Sequence, residues 1–256
     1  NRVSPVQRKL MTTGQEKNVF NVAINGNFDD CQNLVKAMFA DKHFSSSINM
    51  SGVNSINWAR IISQSVYYFY CFFLIKDRSQ PINFSVPTGN FGDVYAGYLA
   101  KKMGLPINKL IVATNQNDIL HRAISKGEYY VEKVSETISP SMDIQLASNF
   151  ERLLYDINNH DDIETASAMK DIKDKGKYII DKKKLEKIYL DFLSARMSEK
   201  EVLKTIKDVY DKHKTILDPH TAIGYHAFDK VNLKGNNVVL ATAHPCKFPD
   251  AIKKSI

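Results

Sequence analysis

A chain of 256 residues with 43% hydrophobic and 25% charged residues has the make-up of an ordinary globular protein with a sizeable core. Its net charge is +7, but the lysines gather between Lys170 and Lys214, interleaved with Asp and Glu; that is solvated helix surface, and no arginine- and aromatic-rich face for nucleic acid is present. The most apolar run, Val66 to Ile75, is shorter than the roughly 20 residues a membrane span needs, so neither nucleic acid nor membrane is expected as a partner.

In chain order, Ser4 and Pro5 suit the N-cap and first position of a helix reaching about Leu10. Asn18 to Ile24 alternates like a strand, and Asp29 to Phe39 is amphipathic, with Leu34, Val35, Met38 and Phe39 on one side. Asn57 to Ile75 predicts a long helix. It is apolar all round, so it is expected to lie buried between layers, with the aromatics from Tyr67 to Phe73 in the core. A strand over Ile82 to Val86 runs into a glycine-bearing turn, then a helix from about Val94 to Met103, closed by Gly104 and Pro106. Leu110 to Thr114 is a second buried strand, and Pro140 to Ile157 reads as a helix. From Asp161 to about Tyr210, lysine and glutamate at helical spacing predict a strandless helical appendage on the outside. Asn237 to Ala241 returns to strand before a short lysine-rich helix. Strands alternating with helices predict an α/β sheet with crossover connections.

Ser85-Val86-Pro87-Thr88-Gly89-Asn90-Phe91-Gly92-Asp93 is the most informative stretch. It sets free backbone N–H groups and the positive end of a helix dipole at the carboxyl end of a strand, which is where a phosphate binds with little side-chain help. Gly89 and Gly92 would allow positive φ and let the backbone close on an anion. Taken alone, GxxG also fits a plain strand-to-helix turn. Asp93 is expected to cap the following helix, because a carboxylate set directly on a phosphate would repel it.

Four segments together resemble the threonine synthases. They are Asn54-Ser55-Ile56-Asn57-Trp58-Ala59-Arg60, the Pro87 to Asp93 loop, Leu110 to Asp118, and Asp218-Pro219-His220-Thr221-Ala222-Ile223-Gly224 with Leu240-Ala241-Thr242-Ala243-His244-Pro245. The likeness runs from Asn1 to the end and is weakest between Asp161 and Tyr210. It implies a fold type II, tryptophan-synthase-β-like enzyme, with a three-layer parallel-type sheet and a helical insertion at 161–214. The implied cofactor is pyridoxal 5′-phosphate. The implied reaction takes O-phospho-L-homoserine and water to L-threonine and phosphate, in the cytoplasm. The resemblance places the cofactor phosphate on Gly89, Asn90, Phe91 and Gly92, and a hydroxyl from Thr242 on the pyridine nitrogen, although Thr242 could simply end a strand. For the substrate phosphate, Ser55, Asn57 and Arg60 form the best cluster. Asn57 and Arg60 share a helix face, and arginine suits phosphate. Equally, Ser55 and Asn57 could cap the helix while Arg60 pairs with a carboxylate. His220 could face the site or hold a turn.

The motif Phe-Lys-Asp, which carries the cofactor-bearing lysine in the family, is absent, as is the family's serine- and glycine-rich loop. Asn1-Arg2-Val3-Ser4-Pro5 resembles the segment just after them. The expectation is a fragment truncated at its N-terminus and inactive alone, with the Schiff-base lysine upstream of Asn1. Residues 1–51 would be the tail of a smaller domain, and 52–256 the large, phosphate-holding domain. His244 and Cys246 have no further partners at metal-ligand spacing, so no metal is expected. Widely spaced Cys31, Cys71 and Cys246 fit a reducing compartment. The rival readings are another fold type II lyase, whose substrates give the Asn54 to Arg60 motif no phosphate to bind, a non-catalytic nucleotide-binding module, for which GxGxxG and a downstream acid would be expected, and a nonfunctional remnant fragment.

Overall fold

The computed structural model describes residues 4–26 and 28–256 and divides into two compact units between Val53 and Asn54. The first unit contains helices α1 (Pro5–Thr12), α2 (Phe28–Ala40) and α3 (Lys42–Ser47). As the sequence predicts, Ser4 Oγ accepts from the Gln7 N–H at 3.1 Å and Pro5 opens α1. The strand expected over Asn18 to Ile24 is not formed. The segment is irregular, and Phe20 and Val22 are 81% and 86% exposed. Apolar alternation yields a strand only beside a partner edge, and the described residues of this unit contain no other strand. Asn1, Arg2 and Val3, which carry part of the family resemblance, lie outside the described residues.

The second unit runs α4 (Trp58–Leu74), β1 (Ile82–Pro87), α5 (Gly92–Lys102), β2 (Ile107–Thr114), α6 (Ile119–Lys126), β3 (Glu128–Tyr130), α7 (Phe150–Ile157), α8 (Asp162–Lys175) and β4 (Lys177–Ile179). It continues α9 (Lys182–Asp191), β5 (Phe192–Arg196), α10 (Glu199–His213), α11 (Pro219–Val231), β6 (Asn236–Val239) and α12 (Pro249–Ser255). Four strands form one parallel sheet in the order β5-β2-β1-β6, while β3 and β4 pair separately as an antiparallel ribbon. Side chains alternate across the sheet with the strand period of two. Phe84, Val86, Leu110 and Val112 join Ile61, Tyr68, Val94 and Ala96 of α4 and α5. Ile111 and Ala113 join Val202, Ile206, Ala222 and Ile223 of α10 and α11 on the opposite face. Helices cover both faces, as a parallel sheet requires.

Three expectations are corrected. First, α4 is not buried between layers. Only Ile61, Ser65 and Tyr68 are buried, whereas Val66, Tyr67, Tyr70 and Phe73 are exposed, the last two at 64% and 65%. A helix lying on a single layer buries one stripe, and a count of apolar residues cannot say how many layers will touch it. Second, the stretch 161–214 is neither strandless nor peripheral. Within it, β5 pairs with β2 from Leu110↔Phe192 to Thr114↔Arg196, and Phe192, Ile188 and Ile206 are buried. The five residues of β5 carry no local strand pattern; the open edge of β2 makes them a strand. Third, Pro140 to Ile157 splits into a 3-10 turn at Pro140–Met142 and α7, with irregular chain between. Among the described residues, no helix is long and apolar enough to cross a membrane.

Tyr68 fixes α4 against α5. Its ring is fully buried, and its hydroxyl donates to Asp93 O at 2.7 Å. The close approach depends on Gly97, where an added Cβ would fall 2.4 Å from Tyr68 Cε1 and 2.8 Å from Leu110 Cδ2. Neither neighbour is free to move in a close-packed core, so Gly97→Ala is expected to cost about 1–3 kcal/mol. A urea titration followed by circular dichroism checks it. An unchanged midpoint would show that α4 is not seated on Gly97.

Candidate anion-binding site

β1 ends with Thr88 still in register, its N–H donating to Ala113 O at 2.8 Å. The chain then turns through Gly89-Asn90-Phe91 and enters α5 at Gly92. The left-handed residue is Phe91, with φ 64° and no side-chain cap; neither Gly89 nor Gly92 takes positive φ, contrary to the expectation for both. Left-handed backbone costs a non-glycine residue about 1–2 kcal/mol. Burial of the Phe91 ring against Phe150 and Phe192, at centroid distances of 5.4 and 5.8 Å, offsets that cost. The glycines serve close approach instead. A Cβ on Gly89 would meet the Ser141 carbonyl oxygen at 2.6 Å, and one on Gly92 would meet Ile61, Ser55 and Asn149 at 3.2–3.4 Å. The first N–H groups of α5 have no intrahelical acceptor. Among the described residues, the amides of Gly89, Asn90 and Phe91 donate to no protein acceptor. This row of open donors at a helix start is a cradle that fits a phosphate.

Asn149 decides which way the row faces. Its backbone N–H and its side-chain Nδ2 both donate to Asn90 O, each at 3.1 Å. In a planar trans peptide the carbonyl of Asn90 and the N–H of Phe91 point in opposite directions, so holding the carbonyl aims the amide. Arg152 in turn donates from Nε to Asn149 Oδ1 at 2.9 Å and from a terminal nitrogen to Ile56 O at 3.1 Å. One guanidinium thus ties the loop to the Asn54–Arg60 segment. Neither residue was found from sequence. An asparagine opening a helix reads as a cap, but Asn149 makes no side-chain cap and spends its amide on the loop.

The loop amides share a cavity of about 200 Å³ with Ser55, Arg60, Gln64 and Asp93. Ser55 and Arg60 are therefore brought together with Gly89, Asn90, Phe91 and Gly92. Asn57 is the N-cap of α4, accepting from the Ala59 N–H at 2.9 Å, and it does not line the cavity. Gln64 lies one helical turn beyond Arg60, and its Oε1 is buried without a hydrogen-bond partner; sequence gave no sign of it. Asp93 does not cap α5. It sits in the first turn, where its carboxylate accepts from the Tyr68 hydroxyl at 3.3 Å. Burial pushes its pKa up to about 6, although the Tyr68 hydrogen bond and the Arg60 charge pull it down.

Thr242 lies outside this cavity, exposed, with its N–H donating to Thr221 Oγ1 at 3.2 Å. It follows β6, which pairs with β1 through Ser85↔Val239, so Thr242 and Thr88 each stand three residues past that pair. Beside it, Asp218 holds the start of α11. Burial would raise its pKa, but hydrogen bonds from His220 and Thr221 outweigh that and keep it low. His220 Nε2 accepts from the Ser141 N–H at 3.3 Å, which leaves the ring proton on Nδ1, 3.0 Å from Asp218 Oδ1. Since the Ser141 carbonyl abuts Gly89, His220 holds a turn that backs the cradle.

A carboxyl whose folded pKa is raised binds its proton more tightly in the native state. Asp93 therefore contributes stability below its ordinary value of 3.8, and that stability is lost as pH rises through about 6. Asp93→Asn should be more stable than the parent above pH 6, with the difference vanishing toward pH 4. Urea midpoints measured across that range check it. A difference independent of pH would place the titration elsewhere.

The family profile described as "Threonine synthase, C-terminal" matches residues 221–256. The chain is 46% identical to the threonine synthase of Saccharomyces cerevisiae and 47% identical to that of Pseudomonas aeruginosa. All of this chain is covered in both, against 54% and 55% of the relatives. The crystal structure of pyridoxal-phosphate-bound threonine synthase from Brucella melitensis superposes with a TM-score of 0.92 at 49% identity, covering 100% of this chain and 55% of that one. The chain thus spans about half the length of the relatives it matches. Over that span, it is similar to the threonine synthases.

Proposed function

We propose that this chain is the phosphate-holding part of a threonine synthase, which converts O-phospho-L-homoserine and water to L-threonine and phosphate. The main support is the row of open amides from Gly89 to Gly92, facing one cavity with Ser55 and Arg60. Pyridoxal 5′-phosphate, when bound, would supply the electron sink needed to lose phosphate from the γ carbon and add water at the β carbon. The Gly89-Asn90-Phe91-Gly92 amides would hold the cofactor phosphate. Ser55 and the planar fork of Arg60 would hold the substrate phosphate. Asn57 keeps that segment in place as the cap of α4. Thr242, at the end of the strand next to β1, is assigned the pyridine nitrogen, to which a neutral hydroxyl offers a hydrogen bond without forcing full protonation.

Asp93 fits this arrangement better than its charge suggests. Its carboxyl is held up to about 6 by burial, so it takes a proton more readily beside a phosphate than an exposed carboxylate would. The covalent anchor is assigned, on the family resemblance alone, to sequence upstream of the segment resembling Asn1 to Pro5. The division of labour proposed is a small-domain tail over 1–51 and a large phosphate-holding domain over 52–256, working in the cytoplasm on a small-molecule substrate.

Equilibrium dialysis tests the cradle. The chain should retain pyridoxal 5′-phosphate in competition with inorganic phosphate, and Gly92→Asp should weaken retention at least roughly tenfold by placing a like charge in the nest. Retention equal to the parent in Gly92→Asp would remove the loop from the site. In the same samples, O-phospho-L-homoserine should release no phosphate. Sustained release by this chain alone would put the anchoring lysine among these 256 residues.

A further inference from the structure

Arg152 also lines a second, larger cavity, of about 680 Å³, a volume typical of small-molecule sites. Trp58, Tyr95, Leu99 and Met169 give it an apolar, aromatic lining, and Glu151, Asp156 and Asp162 add three carboxylates. Asp156 is already engaged by Lys102 and His160, each at 3.1 Å, and by the Tyr95 hydroxyl at 2.8 Å. Glu151 and Asp162 make no ion pair among the described residues. The single cation in the lining, Arg152, is committed to Asn149 and Ile56 and lies over the Trp58 ring at 5.2 Å. The charge left for a visitor is negative, and aromatic faces attract a flat or cationic body.

We propose that this cavity is a second ligand site, for a small aromatic amine, and that its occupancy is felt at the anion cradle through Arg152. The ring would lie against Trp58 and Tyr95, and the ammonium would meet Glu151 and Asp162. The same guanidinium that borders the cavity holds Asn149 at 2.9 Å, and Asn149 holds the Asn90 carbonyl that aims the loop. Trp58 is the first residue of α4, directly after Asn57. A ligand that immobilises Arg152 and Trp58 therefore tightens the loop and the Ser55–Arg60 segment together. What that tightening does for phosphate rests on the anion-binding function proposed above. The cavity does not.

Trp58 is the only tryptophan of the chain, so its emission reports the cavity directly. Titration with phenethylamine should give a saturable change, with phenylacetate roughly tenfold weaker or worse for want of the ion pairs. Ala166→Phe, which fills the cavity from α8, should abolish the change while circular dichroism stays that of the parent. Hydrogen exchange of the 88–93 amides should slow at least twofold on saturation with phenethylamine, and Arg152→Lys, which keeps the charge but loses the fork, should bind the amine without slowing exchange. No saturable change, equal binding of phenylacetate, or an unaltered titration in Ala166→Phe would overturn the site. Exchange that is unaffected by the amine, or affected equally in Arg152→Lys, would overturn the coupling. Neither readout involves phosphate, so failure of the cradle would show separately in the dialysis experiment.

Discussion

Two hydrogen bonds on one carbonyl oxygen govern the site. Asn149 donates twice to Asn90 O, and the planarity of the peptide then turns the next N–H the other way. Remove that grip and the loop between β1 and α5 is an ordinary strand-to-helix turn, free to satisfy its amides with its own side chains or with water. With it, a left-handed Phe91 is held in place, and the amides are left without a protein acceptor in a loop that lines one cavity with Ser55 and Arg60. Gly89, pressed against the Ser141 carbonyl, completes the constraint from the α11 side.

That grip is assembled from distant parts of the chain. The Ser139–Phe150 region supplies Ser141 and Asn149, α7 supplies Arg152, and the segment before α4 supplies Ile56. Each is fixed by packing that has nothing to do with an anion. Tyr68 on Gly97 sets α4 against α5, and the aromatic cluster of Phe91, Phe150 and Phe192 locks α5, α7 and β5 to one another. The residue that anchors the loop and the residue that closes the core are thus the same one, Phe91. Precision at a binding site demands such support from rigid neighbours.

The exposed outer face of α4 belongs in the same account. Tyr70 and Phe73 are left open by a helix whose inner stripe alone meets the sheet layer. Contiguous apolar exposure of this kind is uncommon on a monomer, and it stands in a chain spanning about half the length of its relatives.

The sequence by itself determined the strand before the loop and the helix after it, and it marked the loop's glycines. Gly89, Gly92 and the apolar run from Ile82 to Val86 are local signals, and local signals are legible because neighbours in sequence are neighbours in space. It also determined the Ser4 cap and, through motifs in order, the resemblance to the threonine synthases, whereas it left Asn57 open between a phosphate ligand and the cap it proves to be. Tertiary structure alone decided the rest. That β5 is a strand follows from the vacant edge of β2, that Asn18 to Ile24 is not follows from the lack of any such edge among the described residues of its own unit, and that α4 is half exposed follows from having one layer beside it. Asn149, Arg152 and Gln64 were invisible for the same reason. Their roles are defined by what they touch 59 to 96 positions away or, for Gln64, by what it lacks as a hydrogen-bond partner, and no periodicity encodes a long-range contact.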